Sequence, residues 1–309
     1  MRLEIAFLPP KDFVGNREAL ERSWTTAESV AYTRWLARSH YENFHVVTFL
    51  LPRELHQDFY NVYAFCRWAD DLGDEIGGAN RSLELLAWWR SELAGMFAGR
   101  ARHPVFVALD GTVARHGLSE QPFADLITAF VQDQTVTRYR TFDELLGYCR
   151  YSANPVGRLL LCLCGYRDEE HHRLSDATCT GLQLANFWQD VIPDWTKGRV
   201  YLPLELLERH GASVDDIRER RATPGFCAAM KEAVGLARRF FLDGRPLARV
   251  VNRRLAVDLD LFNRGGSLVL DKIERQGYDV LRRRPAISRW ERAALTMGAL
   301  ARAAVRRAA

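Results

Sequence analysis

An acidic cluster between residues 67 and 75 is the first feature of the chain whose residue types could do chemistry. Asp70 and Asp74 are four positions apart, so on a helix they share one face, about 6 Å apart along the axis. Two carboxylates about 5 Å apart repel by roughly 3 kcal/mol at an effective dielectric constant of about 20. Gly77 and Gly78 follow, and negative charge before such a helix end opposes the helix dipole. The cluster predicts a cation site or a solvated acidic helix end, and its apolar, aromatic surroundings favour the cation site.

A second set of oxygen ligands, Asn186, Asp190 and Asp194, repeats the four-residue spacing. Oxygen donors without histidine or cysteine suit Mg²⁺, which binds few protein carboxylates and completes its octahedron with water and substrate phosphates. Pro193 lacks an N–H and clashes with the carbonyl of Gln189, so we expect a kink before Asp194. One such run could be a polar helix face. Two of them on separate helices, facing each other, predict a site for several Mg²⁺ ions and a diphosphate.

The segment after the second cluster has two cations around a glycine, in the order Lys197-Gly198-Arg199-Val200-Tyr201-Leu202-Pro203. A glycine allows a mobile turn, and a flap that closes on a diphosphate would use both cations. An ordinary charged surface loop is the alternative interpretation.

The elements that must position these residues are helices. Apolar residues recur with helical period over 59–72, 83–97, 123–136, 142–164, 177–191, 227–241 and 268–273. Breaks are expected at 77–78, 102–104, 198, 223–225, 265–266 and 284–285. No linker and no internal repeat divides the chain. We therefore expect an all-α protein of ten to twelve helices that forms a single domain over residues 1–309.

The composition of the 309 residues, 48% hydrophobic and 27% charged, is that of a globular protein. The formal charge is +4, but from Arg282 onward there are eight arginines and one acid, so the body of the chain is mildly acidic. A nucleic-acid partner is therefore not expected. The basic C-terminal helix, about 286–309, predicts either a packed helix with a solvated basic face or a peripheral contact with an anionic membrane.

Targeting signals do not stand out in the sequence, since no apolar stretch is long enough for a signal peptide or a membrane span. The six cysteines have no metal-ligand spacing and are interpreted as reduced, structural thiols. These features predict a cytoplasmic protein.

Four motifs together resemble the squalene/phytoene synthase family, over a region from about Tyr41 to Pro285. They are the YAFCR segment at 63–67 with the acids after it, the YCRYSANPVG segment at 148–157, the Asn186/Asp190/Asp194 cluster and the KGRVYLP segment at 197–203. Within that family the bacterial hopanoid-pathway branch, in which hydroxysqualene synthase works on presqualene diphosphate, is most similar. The segments that carry this finer resemblance are 42–44, 186–190, 264–266 and 278–281.

The resemblance implies an isoprenoid-synthase fold, a helical bundle around a central apolar cavity with a catalytic core at about 41–285. Mg²⁺ would be held by Asp70, Asp74, Asn186, Asp190 and Asp194. The diphosphate would be bound by Arg67, Gln183, Lys197, Arg199 and Tyr201. The catalytic residues would be Tyr148, beside the developing carbocation, with Arg67, Tyr63 and Tyr201.

Two departures from the family pattern bear on the reaction. The residues at 39–44 replace a usual Ser-x-Ser-Phe segment, and Gln189 stands where most members have arginine. Loss of that cation fits a substrate with one diphosphate. The expected activity is ionisation of presqualene diphosphate to hydroxysqualene, between enzymes that make presqualene diphosphate and reduce hydroxysqualene.

Two alternative functions and one question about a cofactor remain open at this point. The first is condensation of two farnesyl diphosphates to presqualene diphosphate or squalene, or of two geranylgeranyl diphosphates to phytoene. The second is a non-catalytic relative, which the complete set of acids disfavours. Use of NADPH is the third question, and no glycine-rich dinucleotide motif is present. The sequence does not predict an oligomeric state.

Overall fold

The computed structural model describes the backbone of residues 7–39 and 52–308. Side chains are described up to Ala299 and at Arg302. The motif residues at 40–44, with the expected start of the catalytic core at Tyr41, lie outside the described residues.

The described chain is helical, and its contacts divide it into two compact units: unit 1 is 1–135 with 158–166, and unit 2 is 136–157 with 167–309. The helices before residue 136 are α1 (Pro10–Phe13), α2 (Arg17–Glu21), α3 (Thr26–Ser39), α4 (His56–Asp74), α5 (Ala79–Phe97), α6 (Pro104–His116) and α7 (Gln121–Gln132). A 3₁₀ turn, Arg53–Leu55, precedes α4.

The helices after residue 136 are α8 (Phe142–Ser152), α9 (Asn154–Leu163), α10 (Glu169–Gln189), α11 (Val191–Thr196), α12 (Leu204–Arg209), α13 (Val214–Arg218), α14 (Pro224–Gly244), α15 (Leu247–Val250), α16 (Arg253–Arg275) and α17 (Arg289–Ala308). Among the described residues, eleven helices have ten residues or more, within the predicted range of ten to twelve. The six shorter helices were not predicted, because four to six residues are too few to show a period. The all-α class is confirmed.

Unit 1 is built around α4, which packs against α3, α5, α6 and α7. Trp68 of α4 is fully buried and stacks on Trp89 of α5, with ring centroids 5.0 Å apart. Its indole N–H donates to the hydroxyl of Tyr32, so the buried polar atom is satisfied. Two turns earlier in the helix, Asn61 donates to the carbonyl of Ala108 and the hydroxyl of Thr112. These contacts hold α4 rigidly, and its last two turns carry the first acid cluster.

Unit 2 is built around α10, which packs against α14 and α16. Phe241 of α14 packs against two positions that have no side chain, Gly181 of α10 and Gly266 of α16. A Cβ at Gly181 of α10 would lie 3.2 Å from its ring, and a Cβ at Gly266 of α16 would lie 2.3 Å from Cζ. The expectation of a helix break at residues 265–266 is wrong, because α16 runs from Arg253 to Arg275 and continues through both glycines. Gly266 is needed for close packing.

The stretch 142–164, which has one helical period, is two helices rather than one. Helix α8 ends at Ser152 and α9 begins at Asn154, with Ala153 between them at φ −112° and ψ −48°. Pro155 has no N–H to donate to the carbonyl of Tyr151, so the helical hydrogen-bond ladder is interrupted there. The periodicity shows the buried faces of both helices and does not reveal the break.

The structure confirms a C-terminal helix at Arg289–Ala308, where the sequence predicts one. All six cysteines are free thiols, as expected, and Cys149 is fully buried. Among the described residues, no helix combines the length and apolar character required to span a membrane.

Asp258 of α16 is a buried carboxylate, 1% exposed, and neither of its oxygens has a hydrogen-bond partner among the described residues. Burial raises the pKa of Asp258 to about 8. Between about pH 4 and pH 8 the native state keeps a proton on Asp258, whereas the unfolded state has released it. The unfolding free energy therefore falls as the pH rises through this range.

We expect the unfolding free energy of the wild type to fall by roughly 3 kcal/mol between about pH 5 and pH 8 on account of this group, and Asp258→Asn to remove that decrease. Urea unfolding at several pH values measures the effect. Asp243→Asn, at an exposed carboxylate of α14, is the control for the change in net charge. Equal pH slopes for wild type and Asp258→Asn would contradict the prediction.

Candidate active site

The first acid cluster lies at the C-terminal end of α4. The helix ends at Asp74, and the Glu75 N–H closes the last turn on the carbonyl of Asp71. The Asp70 side chain is about half exposed and Asp74 is exposed, whereas Asp71 is buried. The helix end thus presents two carboxylates to solvent and keeps a third inside.

Arg67 is the cation of this cluster. Its guanidinium lies 2.5 Å from the Asp71 carboxylate, 3.1 Å from Glu75 and 3.6 Å from Asp70. Burial raises the pKa of Asp71 to about 7, and Arg67 opposes that rise. Tyr63, one turn earlier, is half-buried, and burial raises the pKa of its phenol. Arg67, predicted to bind diphosphate, thus contacts the acids of its own helix in this state.

The second cluster spans a break between two helices. Helix α10 ends at Gln189, Asp190 adopts φ −106° and ψ 22°, and α11 begins at Val191. The kink expected from Pro193 is therefore present, and the Asp194 N–H donates to the Asp190 carbonyl at 2.8 Å. The Asn186 amide donates to Asp190 Oδ2 at 3.1 Å, which places both side chains on one face. Gln183 lies half-buried one turn before Asn186.

Arg284 is a site residue that the sequence analysis missed. Its guanidinium donates to both carboxylate oxygens of Asp190, and this hydrogen bonding raises the pKa of Arg284. The neighbouring Gln189 donates its amide to the carbonyl of Pro285. No local signal could identify the pair, because Arg284 is 94 residues from Asp190. A guanidinium thus reaches Asp190 from the C-terminal segment, next to the position where family members usually carry arginine.

The segment from Lys197 to Pro203 is a hydrogen-bonded turn. The backbone N–H groups of Lys197 and Arg199 both donate to the carbonyl of Asp194. Arg138 donates to the carbonyl of Gly198 at 2.6 Å, and its guanidinium lies over the ring of Trp195. Gly198 has φ +79°, which favours glycine. The turn is hydrogen-bonded to the second acid cluster and to Arg138, and its closure on a diphosphate stays a prediction.

A group of aromatic rings lies beside this turn. Tyr201 stacks on Phe187 of α10, with centroids 3.9 Å apart and planes inclined by 11°. Tyr148 of α8 lies 5.7 Å from Tyr201, and Tyr139 lies 5.6 Å from Tyr148. All four side chains are buried. The structure therefore brings together Tyr148 and Tyr201, two of the three predicted tyrosines. It adds Phe187, which follows Asn186 in the chain.

The donors in each cluster fit Mg²⁺. All are carboxylate or amide oxygens, and the exposure of Asp70 and Asp74 leaves room for the waters that Mg²⁺ retains. Among the described residues, no three His, Cys, Asp or Glu side chains form a ready cage. That arrangement suits an ion that takes most of its ligands from water and substrate phosphates.

Comparison with known proteins decides the family. The squalene/phytoene synthase family matches residues 37–291. The chain belongs to the squalene/phytoene synthase family. It is 36% identical over 277 residues to the hydroxysqualene synthase of Rhodopseudomonas palustris, covering 86% of this chain and 90% of that protein. It is 34% identical over 259 residues to the phytoene synthase of Thermus thermophilus, covering 84% and 88%.

Solved structures of the same family share the fold. The crystal structure of squalene synthase HpnC from Alicyclobacillus acidocaldarius aligns with a TM-score of 0.79 at 47% identity, covering 82% of this chain and 95% of that one. A dehydrosqualene synthase structure aligns with a TM-score of 0.80 at 23% identity. The fold is the helical isoprenoid-synthase fold, as the sequence resemblance implies, and squalene/phytoene synthases act on isoprenoid diphosphates.

Proposed function

We propose that this squalene/phytoene synthase family member ionises presqualene diphosphate in a Mg²⁺-dependent reaction and captures water to give hydroxysqualene and diphosphate. The observation that carries the finer assignment is Gln189, whose amide is bonded to the Pro285 carbonyl where most family members have an arginine. The Arg284 guanidinium beside it is already paired with Asp190, so Gln189 adds only a neutral hydrogen-bond donor at this helix end, which suits a substrate with one diphosphate. The 36% identity to a hydroxysqualene synthase supports the same assignment.

In this proposal the two acid clusters bind the metal ions. Asp70 and Asp74 are the ligands from α4, and Asn186, Asp190 and Asp194 are the ligands from the α10–α11 break. Bound Mg²⁺ supplies Lewis-acid stabilisation of the charge that develops on the leaving diphosphate.

The chain's own cations and hydrogen-bond donors hold that diphosphate. Lys197 and Arg199 are fixed on one turn by their shared backbone hydrogen bonds to Asp194, so their side chains need little reorganisation. Arg67, Gln183 and the Tyr201 hydroxyl complete the proposed diphosphate-binding set. Binding would compete with the ion pairs that Arg67 makes with its neighbouring acids.

The aromatic group is proposed to stabilise the carbocation. When the carbon–oxygen bond breaks, the electron pair leaves with diphosphate and a cyclopropylcarbinyl cation remains. The ring faces of Tyr148 and Tyr201 can stabilise that charge. After rearrangement, a water oxygen bonds to the carbon and loses a proton. Tyr63, which burial keeps protonated, is the third tyrosine of the proposed catalytic set.

Condensation of two isoprenoid diphosphates is the second candidate, and the 34% identity to the Thermus thermophilus phytoene synthase favours it. In that reaction two farnesyl diphosphates would give presqualene diphosphate or squalene, or two geranylgeranyl diphosphates would give phytoene. The second diphosphate would need cations besides those named above.

Product analysis separates these candidates. Purified protein is incubated with Mg²⁺ and, in parallel, with presqualene, farnesyl or geranylgeranyl diphosphate, and products are identified by mass spectrometry. We expect diphosphate release and hydroxysqualene from presqualene diphosphate alone. A condensation product from farnesyl or geranylgeranyl diphosphate, whether presqualene diphosphate, squalene or phytoene, would favour condensation instead, and no turnover of any substrate would favour a non-catalytic relative. Adding NADPH tests whether a reduction step follows.

The cellular setting follows from the proposed reaction. We propose a single isoprenoid-synthase domain that works in the cytoplasm, with no nucleic-acid partner. Its substrate would come from an enzyme that makes presqualene diphosphate, and its product would pass to an enzyme that reduces hydroxysqualene. Such a product carries a C30 hydrocarbon chain and partitions into membranes. A surface of unit 2 that contacts a membrane would therefore suit the proposed reaction.

A further inference from the structure

A cavity of about 610 Å³ in unit 2 is lined by an unusual number of arginines. It lies among the end of α14, the short helix α15, the first half of α16 and one turn of α17. The charged residues of its lining are Arg245, Arg249, Arg253, Asp260, Arg264 and Arg302.

Two of these arginines share one carboxylate partner within the protein. Arg264 donates its Nε–H to both oxygens of Asp260 at 2.9 Å. Arg302 donates to the same carboxylate from Nε at 3.0 Å and from Nη2 at 2.6 Å. One carboxylate thus serves two guanidinium groups and is saturated by them. The ion pairs that Asp260 makes with Arg264 and Arg302 join α17 to α16, and all three side chains line the cavity.

The other three arginines, Arg245, Arg249 and Arg253, are exposed, and none of their guanidinium groups makes a hydrogen bond or ion pair with a described residue. Arg253 is also the first residue of α16, whose first turn contains no acid. A cation at this end of a helix is opposed by the positive pole of the dipole. The three guanidinium groups therefore form a positive surface that an external anion would neutralise.

Exposed apolar side chains lie beside the three arginines. Leu242, 64% exposed, lines a smaller hollow of about 270 Å³ that shares Arg245 with the cavity. Val250, 50% exposed, lies between Arg249 and Val251, which both line the cavity. Cationic side chains next to exposed aliphatic ones are the pattern of a surface that rests in the headgroup region of a membrane.

This surface is remote from the second acid cluster. The Val250 carbonyl contacts the His171 imidazole at 3.2 Å, near the start of α10, whereas Asp190 follows the last residue of the same helix. Asp190 comes nineteen positions after His171, which corresponds to about 28 Å of helix. Because the Debye length is about 8 Å at physiological ionic strength, charges so far apart act independently. The arginine surface is therefore not a part of the diphosphate site at Asp190.

We propose that Arg245, Arg249 and Arg253, flanked by Leu242 and Val250, dock the protein on an anionic membrane by binding phospholipid headgroup phosphates. Guanidinium groups match phosphate oxygens in bidentate pairs. The sequence prediction assigned membrane contact to the basic C-terminal helix. We place it on the α14–α16 surface because the three guanidinium groups there have no partner among the described residues, whereas Arg302 of α17 is paired with Asp260. Arg289 and Arg292 of α17 are also exposed, so the prediction for the C-terminal helix stays open to test.

Vesicle co-sedimentation of the full-length protein tests the proposal. The vesicles contain phosphatidylcholine with or without phosphatidylglycerol. We expect salt-sensitive binding that requires phosphatidylglycerol and weakens by about 100-fold in the triple variant Arg245→Gln, Arg249→Gln and Arg253→Gln. The matched control carries the same charge change at exposed arginines elsewhere in unit 2, namely Arg220→Gln, Arg239→Gln and Arg275→Gln.

Three outcomes would overturn the proposal. The first is binding by the triple variant equal to that of the control. The second is loss of binding in Arg289→Gln with Arg292→Gln, exposed residues of α17, while the triple variant still binds. The third is no vesicle binding, with inorganic phosphate raising the melting midpoint of the wild type but not of the triple variant, which would identify a free-phosphate site. Loss of vesicle binding also in Leu242→Ser with Val250→Ser would support insertion of the apolar rim. All these measurements are independent of catalysis, so they can fail while the proposed reaction holds.

Discussion

Asp190→Asn is expected to lower the rate of Mg²⁺-dependent diphosphate release by about 1000-fold, equivalent to roughly 4 kcal/mol of transition-state stabilisation. Asparagine keeps the size of the side chain and removes its charge. In the native structure this carboxylate accepts hydrogen bonds from Asn186 and from Arg284. Without it, a proposed metal ligand and the partner of a guanidinium are lost together. Phosphate release in a coupled assay, measured against Mg²⁺ concentration, gives the rate and the metal dependence.

The matched control for this variant is Asp215→Asn. Asp215 is an exposed aspartate of the same unit that pairs with Arg218 at 3.0 Å. It should keep wild-type activity, since an exposed ion pair contributes little. The melting midpoint of Asp190→Asn should stay near that of wild type, because Asp190 lies at a helix boundary outside the packed core. Activity of Asp190→Asn within tenfold of wild type would exclude Asp190 as a metal ligand.

Gly266→Ala is expected to destabilise the protein by about 2 kcal/mol. Its Cβ would lie 2.3 Å from Phe241 Cζ and 2.8 Å from Cε1, closer than real contacts allow. The Phe241 ring also packs closely on α10, where a Cβ added at Gly181 would lie only 3.2 Å from it, so the ring has little room to move. The gain in helix propensity from glycine to alanine, about 1 kcal/mol, only partly offsets the overpacking. Urea unfolding followed by circular dichroism measures the difference.

The neighbouring glycine provides the control for this prediction. A Cβ at Gly265 would meet no atom within 4 Å, so Gly265→Ala should be neutral or stabilise α16 by up to about 1 kcal/mol. Combining Gly266→Ala with Phe241→Leu should recover part of the lost stability, because the two sites are in contact. If both alanine variants unfold at the same urea concentration, close packing does not explain Gly266.

The elements that carry the site were predictable because their signals are local. The spacing of Asp70 and Asp74, and of Asn186 and Asp190, predicts each pair on one helix face. The structure places Asp70 and Asp74 on α4, and Asn186 on α10 with Asp190 directly after the last residue of that helix. The proline rule predicted the kink before Asp194, since a missing N–H acts on a carbonyl four residues away. The same local reasoning failed at Gly265 and Gly266, where the reason for glycine lies on another helix.

The composition of the site beyond its motifs was not predictable from sequence. Arg284 reaches Asp190 across 94 residues, and no periodicity relates the two. The hydrogen bond that Arg138, sixty residues earlier in the chain, donates to the Gly198 carbonyl could not be predicted from the residues around Gly198. The basic character of the C-terminal helix was visible in the charge count, but the pairing of Arg302 with Asp260 was not.

The sequence by itself determined the family and the helical class and predicted the oxygen ligands, because these depend on residue types and on spacings of a few residues along one helix. Only the tertiary structure decided which cations neutralise those ligands, which rings stack beside them and which arginines are left to face solvent. Such contacts join residues tens of positions apart, and their free energy depends on burial and distance, which a linear pattern does not contain.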